Sequence, residues 1–125
     1  MTPGFSLRSR FRSVLFAARG VRTTLRTQHN AWIHLAATIG VVAAGVVSRL
    51  ERWEWALIVL AIVSVWTAES LNTAFEFLCD VASPEVHPLV EQAKDVSAGA
   101  VLICAAGSVL VGLLVFIPHL ADFVR

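Results

Sequence analysis

Charged residues are scarce in this sequence. Asp, Glu, Lys and Arg make up 15% of its 125 residues, whereas a soluble domain usually has about 25%. Apolar residues make up 57%, and the mean hydropathy is +0.73. This composition argues against an ordinary soluble domain and predicts a single membrane-embedded domain over residues 1–125.

The sequence also lacks several motifs that mark common sites. Cys79 and Cys104 have no CxxC or metal-ligand spacing, so both are expected to be buried apolar thiols. The four histidines show no HxxxH or HExxH pattern, so zinc is not expected. Neither G-x-x-x-x-G-K-[ST] nor G-x-G-x-x-G occurs, so any nucleotide must bind without a standard glycine loop. No signal peptide is recognisable, so the first apolar stretch is expected to remain in the mature protein.

Three long apolar stretches predict an all-α membrane protein. They cover residues 31–48, 55–78 and 97–117, and each can cross a hydrocarbon core of about 30 Å. Before them, residues 5–28 place apolar side chains on one helix face and arginines beside it. This pattern predicts an amphipathic helix on the membrane surface. A soluble helix packed on its own protein is the alternative.

The distribution of basic residues predicts the orientation. Six of the ten Lys and Arg residues precede the first apolar stretch, so the N-terminus is expected in the cytoplasm, at a cell inner membrane. Residues 79–96 are then cytoplasmic, and residues 49–54 and the C-terminus lie outside. Pro88 is expected to begin the third spanning helix. Gly40 and Gly45 are expected to allow close approach of neighbouring helices.

Polar residues follow one face of the second apolar stretch. Glu69, Asn72, Thr73 and Glu76 have the spacing i, i+3, i+4, i+7, and Asp80 continues the stripe. An ionisable side chain inside a span costs at least about 2.5 kcal/mol on insertion scales, so it should have a function or partners. Hydrogen bonding between helices, without any catalysis, is the alternative.

Lys94 and Asp95 precede the third apolar stretch. A lysine suits phosphate, and helix N-termini favour anions. Alone, Lys94 would be interpreted as a residue that merely flanks a membrane helix. Together with Glu76 and Asp80 it indicates metal-phosphate binding, in which carboxylates bind Mg²⁺ and the cation balances the phosphates.

Residues 69–76, ESLNTAFE, resemble the E-x-x-N-[ST]-A-[IF]-E signature of the small prokaryotic diacylglycerol kinases and undecaprenol kinases. The spacing through residues 85–89 to Lys94-Asp95 is also similar to that family, as are Gly20, Arg22 and residues 30–35. The resemblance implies an ATP- and Mg²⁺-dependent lipid kinase. It also implies a homotrimer whose active sites are shared between neighbouring chains.

The resemblance further implies roles for individual residues. Glu69 is the expected general base that takes the proton of the lipid hydroxyl. The other expected substrate contacts are Asn72, Ala98 and Arg10. Ala98 aligns with a serine of some members. Arg8 and Arg12 are alternatives to Arg10 for the arginine contact. The expected metal ligands are Glu76 and Gln28. Many members have a glutamate at the position of Gln28. Asp80 is a candidate to supply the missing carboxylate. The expected nucleotide-binding residues are Phe16, Gln28, Glu76, Glu85, His87, Lys94 and Asp95.

Three points stay open at this level. Residues 87–89 and 30–34 look more like the undecaprenol kinase branch, but diacylglycerol is also a possible substrate. A small membrane transporter subunit would also place carboxylates in a span, although it would not need Lys94-Asp95. A non-catalytic membrane partner would use Glu69 and Asn72 only to hold helices together.

Overall fold

The computed structural model describes residues 6–83, 85 and 87–123, and this part of the chain contains four helices. They are α1 (Leu7–Thr27), α2 (His29–Val47), α3 (Arg52–Ala82) and α4 (Pro88–Phe123). Helices α2, α3 and α4 are long and apolar enough to cross a membrane. The predicted all-α membrane fold is therefore confirmed. Residue 5, where the surface helix was predicted to begin, lies outside the described residues.

Helix α1 is joined to α2 by one residue. Gln28 has φ −110° and ψ 119°, an extended conformation that ends α1 and starts a new helix direction. Thr24 is the buried residue of α1, while its apolar side chains Leu7, Phe11 and Val14 are exposed. An amphipathic helix with an uncovered apolar face is suited to the headgroup region of a bilayer.

The turn between α2 and α3 is short and closely hydrogen-bonded. Arg49 adopts the left-handed conformation with φ 53°, and the Leu50 N–H donates to the Gly45 carbonyl over 3.1 Å. This is a Schellman-type helix end with arginine at the position that glycine usually occupies. Helix α3 then begins with a capping box formed by Glu51 and Glu54. The turn therefore holds the two helices as neighbours.

The apolar core lies at the end of the molecule next to this turn. Leu50, Ile58 and Val115 are buried there. His119 and Glu54 close the same end, with 2.9 Å between Nε2 and Oε1, and so join α4 to α3. This end is held by both apolar packing and a polar contact.

Gly45 and Gly40 differ in their surroundings. A Cβ at Gly45 would lie 2.8 Å from the Trp55 ring, so glycine is required for the observed contact between α2 and α3. A Cβ at Gly40 would meet nothing within 4 Å. The expectation of close helix approach is confirmed at Gly45 and wrong at Gly40 within this chain, because Gly40 faces away from the neighbouring helices.

Helices α3 and α4 are longer than the apolar stretches that predicted them. Their 31 and 36 residues correspond to about 46 Å and 54 Å, against about 30 Å for a hydrocarbon core. Residues 79–82 complete α3, and Pro88 begins α4 as predicted. Helix α4 also continues through Pro118, where the sequence predicted its end, since a proline removes one hydrogen bond without necessarily ending a helix. Both helices thus extend beyond the apolar layer.

Candidate functional site

The polar stripe of α3 faces the protein. Glu69 is 1% exposed, and Asn72 and Thr73 are also buried, while Glu76 is half-buried one turn further along. The Thr73 hydroxyl donates to the Glu69 carbonyl over 2.8 Å and so needs no partner outside its own helix. The expectation that these residues share one face is confirmed, and that face packs against α1, α2 and α4 instead of lipid.

A chain of hydrogen bonds joins the Gln28 linker, α3 and α4 through Glu76. The Gln28 amide donates to Glu76 Oε2 over 2.7 Å, and the Asn72 amide donates to Glu76 Oε1 over 2.9 Å. The Ser97 hydroxyl donates in turn to Asn72 Oδ1 over 2.6 Å. We call these four residues the Glu76 network. It brings together Gln28, Asn72 and Glu76, which the sequence singled out.

Ser97 is a member of this network that the sequence prediction missed. The resemblance pointed to the adjacent Ala98, which is exposed. A shift of one residue turns a helical side chain by about 100°, so Ser97 and Ala98 lie on different sides of α4. The available signal was the presence of a hydroxyl at position 97, since polar groups in apolar surroundings usually have a hydrogen-bond partner.

Glu76 and Gln28 fit a magnesium ion that arrives with phosphate. Oxygen atoms are the preferred Mg²⁺ ligands, and proteins usually supply only one or two carboxylates while water and phosphate supply the rest. Rotation of the Gln28 amide places its Oε1 where Nε2 now lies, because the two groups have the same shape. Among the described residues, no group of three or more His, Cys, Asp or Glu side chains is arranged to hold a metal. The donor set therefore suits a metal–nucleotide complex better than a permanently bound ion.

Lys94 and Asp80 form an ion pair at the same end of the helices. Their Nζ and Oδ1 atoms are 2.6 Å apart. The hydrogen bond to the Asp80 carboxylate holds the pKa of Lys94 above its usual range, in the part of α4 that precedes the apolar stretch. Lys94 consequently stays protonated at neutral pH. Asp80 pairs with Lys94 in this structure, and its role in completing the Glu76–Gln28 pair stays a prediction.

Lys94 is also connected to the Glu76 network through its backbone. The Ser97 hydroxyl has one proton, which it shares between Asn72 Oδ1 at 2.6 Å and the Lys94 carbonyl at 2.9 Å. This arrangement places residues 94–97, about two turns after the start of α4, beside Asn72 and hence near Glu76. A cation close to a carboxylate is suited to binding a nucleotide phosphate together with a divalent metal ion.

Three further predicted nucleotide contacts lie near the start of α4. Asp95 and His87 are exposed, and the His87 Nδ1 accepts a hydrogen bond from the Leu89 N–H over 3.2 Å. The Glu85 carbonyl accepts a hydrogen bond from the Ser83 hydroxyl over 2.9 Å, and the Glu85 residue is exposed. All three are accessible at the end of the molecule that carries Glu76 and Lys94.

Phe16 and Arg10 lie farther from this end. They precede Gln28 by 12 and 18 positions, or about 18 Å and 27 Å along a helix. The Arg19 guanidinium lies over the Phe16 ring, 5.4 Å from its centroid. A single chain therefore brings Gln28 to Glu76 and leaves the beginning of α1 at a distance.

Glu69 faces a residue that the sequence prediction did not include. His34 on α2 places Nε2 3.5 Å from Glu69 Oε2. In the described structure, both carboxylate oxygens and this nitrogen are buried without a hydrogen-bond partner. His34 was overlooked because a lone histidine has no motif and the contact depends on how α2 packs against α3.

An apolar cavity of about 370 Å³ lies next to His34. It is formed between α2, α3 and α4, and its lining includes Ile58, Val65, Ala105 and Val109. Its lining residues belong to the three apolar stretches of the sequence, residues 31–48, 55–78 and 97–117. Its lining suits a hydrocarbon chain more than a polar ligand.

The chain is similar to known membrane kinases over most of its length. The family model described as prokaryotic diacylglycerol kinase matches residues 15–116. An undecaprenol kinase of Bacillus subtilis (strain 168) is 41% identical over 110 residues, which are 88% of this chain and 89% of that protein. A diacylglycerol kinase of Synechocystis sp. is 36% identical over 109 residues, which are 86% of this chain and 62% of that protein. The chain therefore belongs to the prokaryotic diacylglycerol kinase family.

Proposed function

We propose that this protein transfers the γ-phosphate of ATP to the hydroxyl of a membrane lipid alcohol, in a reaction that depends on Mg²⁺. Members of its family are phosphotransferases with an alcohol acceptor. The observation that best supports the proposal is the position of Glu69, a buried carboxylate two helical turns from the Glu76–Gln28 pair. A proton acceptor is thereby placed close to a candidate phosphate site.

Glu69 is proposed as the general base. Its carboxylate takes the proton of the lipid hydroxyl, and the lipid oxygen forms a bond to the γ-phosphorus of ATP. The bond from that phosphorus to the bridging oxygen breaks, and its electron pair leaves with ADP. Because both carboxylate oxygens are inaccessible in this structure, the hydroxyl reaches Glu69 only after packed side chains around it shift.

The Glu76 network is proposed to hold the phosphates. Glu76 and Gln28 supply oxygen ligands to Mg²⁺, which neutralises phosphate charge when bound. Asn72 holds the Glu76 carboxylate in place and is itself held by Ser97. Lys94 contributes a positive charge, and Asp95, Glu85 and His87 are proposed to contact the nucleotide. Phosphoryl transfer depends mainly on this kind of positioning and charge balance.

The lipid acceptor is proposed to be undecaprenol, with diacylglycerol as the second candidate. The undecaprenol kinase is matched over 89% of its length, against 62% for the diacylglycerol kinase. The cavity beside His34 has an apolar lining that suits a hydrocarbon chain of the lipid. Asn72, Ala98 and Arg10 remain the proposed contacts of the lipid.

The proposed assembly is a homotrimer of single-domain chains in the cell inner membrane. Its N-terminus and site face the cytoplasm, in keeping with the arginines of α1. Arg10 and Phe16 lie far along α1 from Glu76, which supports an arrangement in which α1 of one chain contributes to a neighbouring site. Large apolar side chains such as Trp32, Leu102 and Leu114 are exposed and available for lipid or for neighbouring chains.

The function is tested by incubating the purified protein in mixed micelles with γ-labelled ATP and Mg²⁺. Undecaprenol and diacylglycerol are supplied separately, and labelled lipid is measured. We expect label in at least one lipid, with the higher kcat/KM for undecaprenol. Glu69→Gln should abolish transfer and leave ATP binding largely intact. Absence of label with both lipids would favour the transporter or the non-catalytic partner instead.

A further inference from the structure

We infer that His34 positions the Glu69 carboxylate for catalysis. This inference rests on the proposed function, because it assigns a task to the residue that faces the general base. When substrate binds, His34 Nε2 donates a hydrogen bond to Glu69 Oε2, which lies 3.5 Å away in this structure. The other carboxylate oxygen, Oε1, is then left to accept the proton of the lipid hydroxyl.

The first support is the burial of the polar atoms of this pair. Glu69 is 1% exposed, and the His34 side chain is 14% exposed. Within the described residues, Glu69 Oε1, Glu69 Oε2 and His34 Nε2 are buried without hydrogen bonds. A buried polar atom left without a hydrogen bond lowers the stability of the fold. Three such atoms at one place are therefore expected to serve the reaction.

The second support is the geometry of the pair. The Nε2–Oε2 distance of 3.5 Å exceeds an ordinary hydrogen bond by a few tenths of an ångström. Catalytic hydrogen bonds are often long before substrate binds and shorten in the complex. His34 and Glu69 come from different helices, so a small movement of α2 against α3 is enough to close the gap.

The third support is that nearby hydroxyls do not compete for either group. Thr73 donates to the backbone carbonyl of Glu69 instead of its carboxylate. Thr38 donates to the backbone carbonyl of His34 and accepts a hydrogen bond from Trp66. Both hydroxyls therefore donate to backbone carbonyls, and neither contacts the His34 ring or the Glu69 carboxylate through a described hydrogen bond.

The role predicts different effects for different replacements. At position 34, glutamine places an N–H donor at about the same distance from the backbone as the histidine Nε2. The asparagine side chain is one methylene shorter, so its N–H does not reach Glu69. Leucine fills the space but has no donor. Loss of a group that orients a functional side chain usually lowers activity about 10- to 100-fold. His34→Leu and His34→Asn should therefore lower kcat by that factor, with KM for ATP and lipid within about twofold. His34→Gln should keep most of the wild-type kcat.

The experiment measures kcat and KM with γ-labelled ATP for these three variants in mixed micelles. His29→Gln is the matched control, because His29 is exposed at the start of α2. A normal kcat in His34→Asn, or equal losses in His34→Gln and His34→Asn, would overturn the inference.

The same measurements keep this inference separate from the proposed function. If the wild type phosphorylates neither lipid, the proposed function fails before His34 is considered. If the wild type is active and Glu69→Gln is not, the proposed function stands, and the contrast between glutamine and asparagine at position 34 decides the inference. That contrast remains informative even if His34→Leu fails to fold.

Discussion

The amide of Gln28 donates a 2.7 Å hydrogen bond to the carboxylate of Glu76. Gln28 is the single residue between α1 and α2, and Glu76 lies on α3. This contact fixes the C-terminal end of the surface helix to the candidate phosphate site. The direction of α1 and the position of the proposed metal ligand Glu76 are therefore linked.

Gln28→Glu should tighten Mg²⁺ binding. The replacement sets a second carboxylate beside Glu76, and a higher ligand charge raises the affinity for divalent cations. We expect the Mg²⁺ concentration for half-maximal activity to fall about 10-fold, as measured by titration at saturating ATP. Thr27→Glu is the control, because it adds the same charge at an exposed position. An unchanged Mg²⁺ requirement in Gln28→Glu would remove Gln28 from the metal site.

Lys94→Ala should chiefly weaken nucleotide binding. The pKa of Lys94 is raised by its hydrogen bond to Asp80, so the ammonium is lost only when the pH rises through that raised value. It is therefore present at neutral pH to meet phosphate. We expect the KM for ATP to rise about 10-fold, or about 1.4 kcal/mol of binding, with a smaller change in kcat.

The control for this variant is Arg52→Ala. It removes a cation at the N-terminal end of α3, whereas Asp80, the partner of Lys94, lies near the C-terminal end. Its KM for ATP should equal that of the wild type. Nucleotide binding can be measured independently by equilibrium titration with a non-hydrolysable ATP analogue. Equal affinities in wild type and Lys94→Ala would contradict the assignment.

Ser97→Ala should reduce kcat by loosening Asn72. The hydroxyl of Ser97 donates to Asn72 Oδ1 over 2.6 Å, and Asn72 in turn holds Glu76. Ser108→Ala is a matched control, because Ser108 on the same helix donates to the Ala61 carbonyl on α3 over 3.1 Å. Each variant loses one hydrogen bond between helices, at a cost of about 0.6 kcal/mol. Only Ser97→Ala should lower kcat in the labelled-ATP assay, and similar kcat values would argue against the Glu76 network.

Gly45→Ala should destabilise the fold, whereas Gly40→Ala should not. A Cβ at position 45 would lie 2.8 Å from the Trp55 ring, and position 40 is open. Overpacking of this kind costs about 1–3 kcal/mol, while alanine in a helix is about 1 kcal/mol more favourable than glycine. Thermal unfolding in detergent, followed by circular dichroism, should show a lower Tm for Gly45→Ala only. Equal shifts would mean that the Trp55 contact is unimportant.

Hydropathy and helical spacing were sufficient to predict the main architecture. The apolar stretches predicted α2, α3 and α4, because an uncharged stretch of about 20 residues crosses a bilayer as a helix that satisfies its own backbone hydrogen bonds. The spacing of Glu69, Asn72 and Glu76 predicted their common face. Both predictions rest on local geometry, which a sequence records directly.

Contacts between helices were not predictable in the same way. His34 meets Glu69 only because of the angle at which α2 packs against α3, and no motif reports that angle. Ser97 instead of Ala98 reaches Asn72 because a helix turns by about 100° per residue. The pairing of Lys94 with Asp80 likewise depends on how closely α3 and α4 approach beyond the apolar layer.

The extra length of α3 and α4 has a consequence for where reactants meet. Each helix is continuous. It combines an apolar segment long enough to cross a bilayer with a polar segment that continues beyond it. A fat-soluble alcohol can thus remain dissolved in the bilayer while a water-soluble donor remains in the aqueous phase. For the proposed reaction, the lipid alcohol does not have to leave the bilayer and ATP does not have to enter it. The helices extend through the membrane–water boundary and place functional side chains where the two reactants meet.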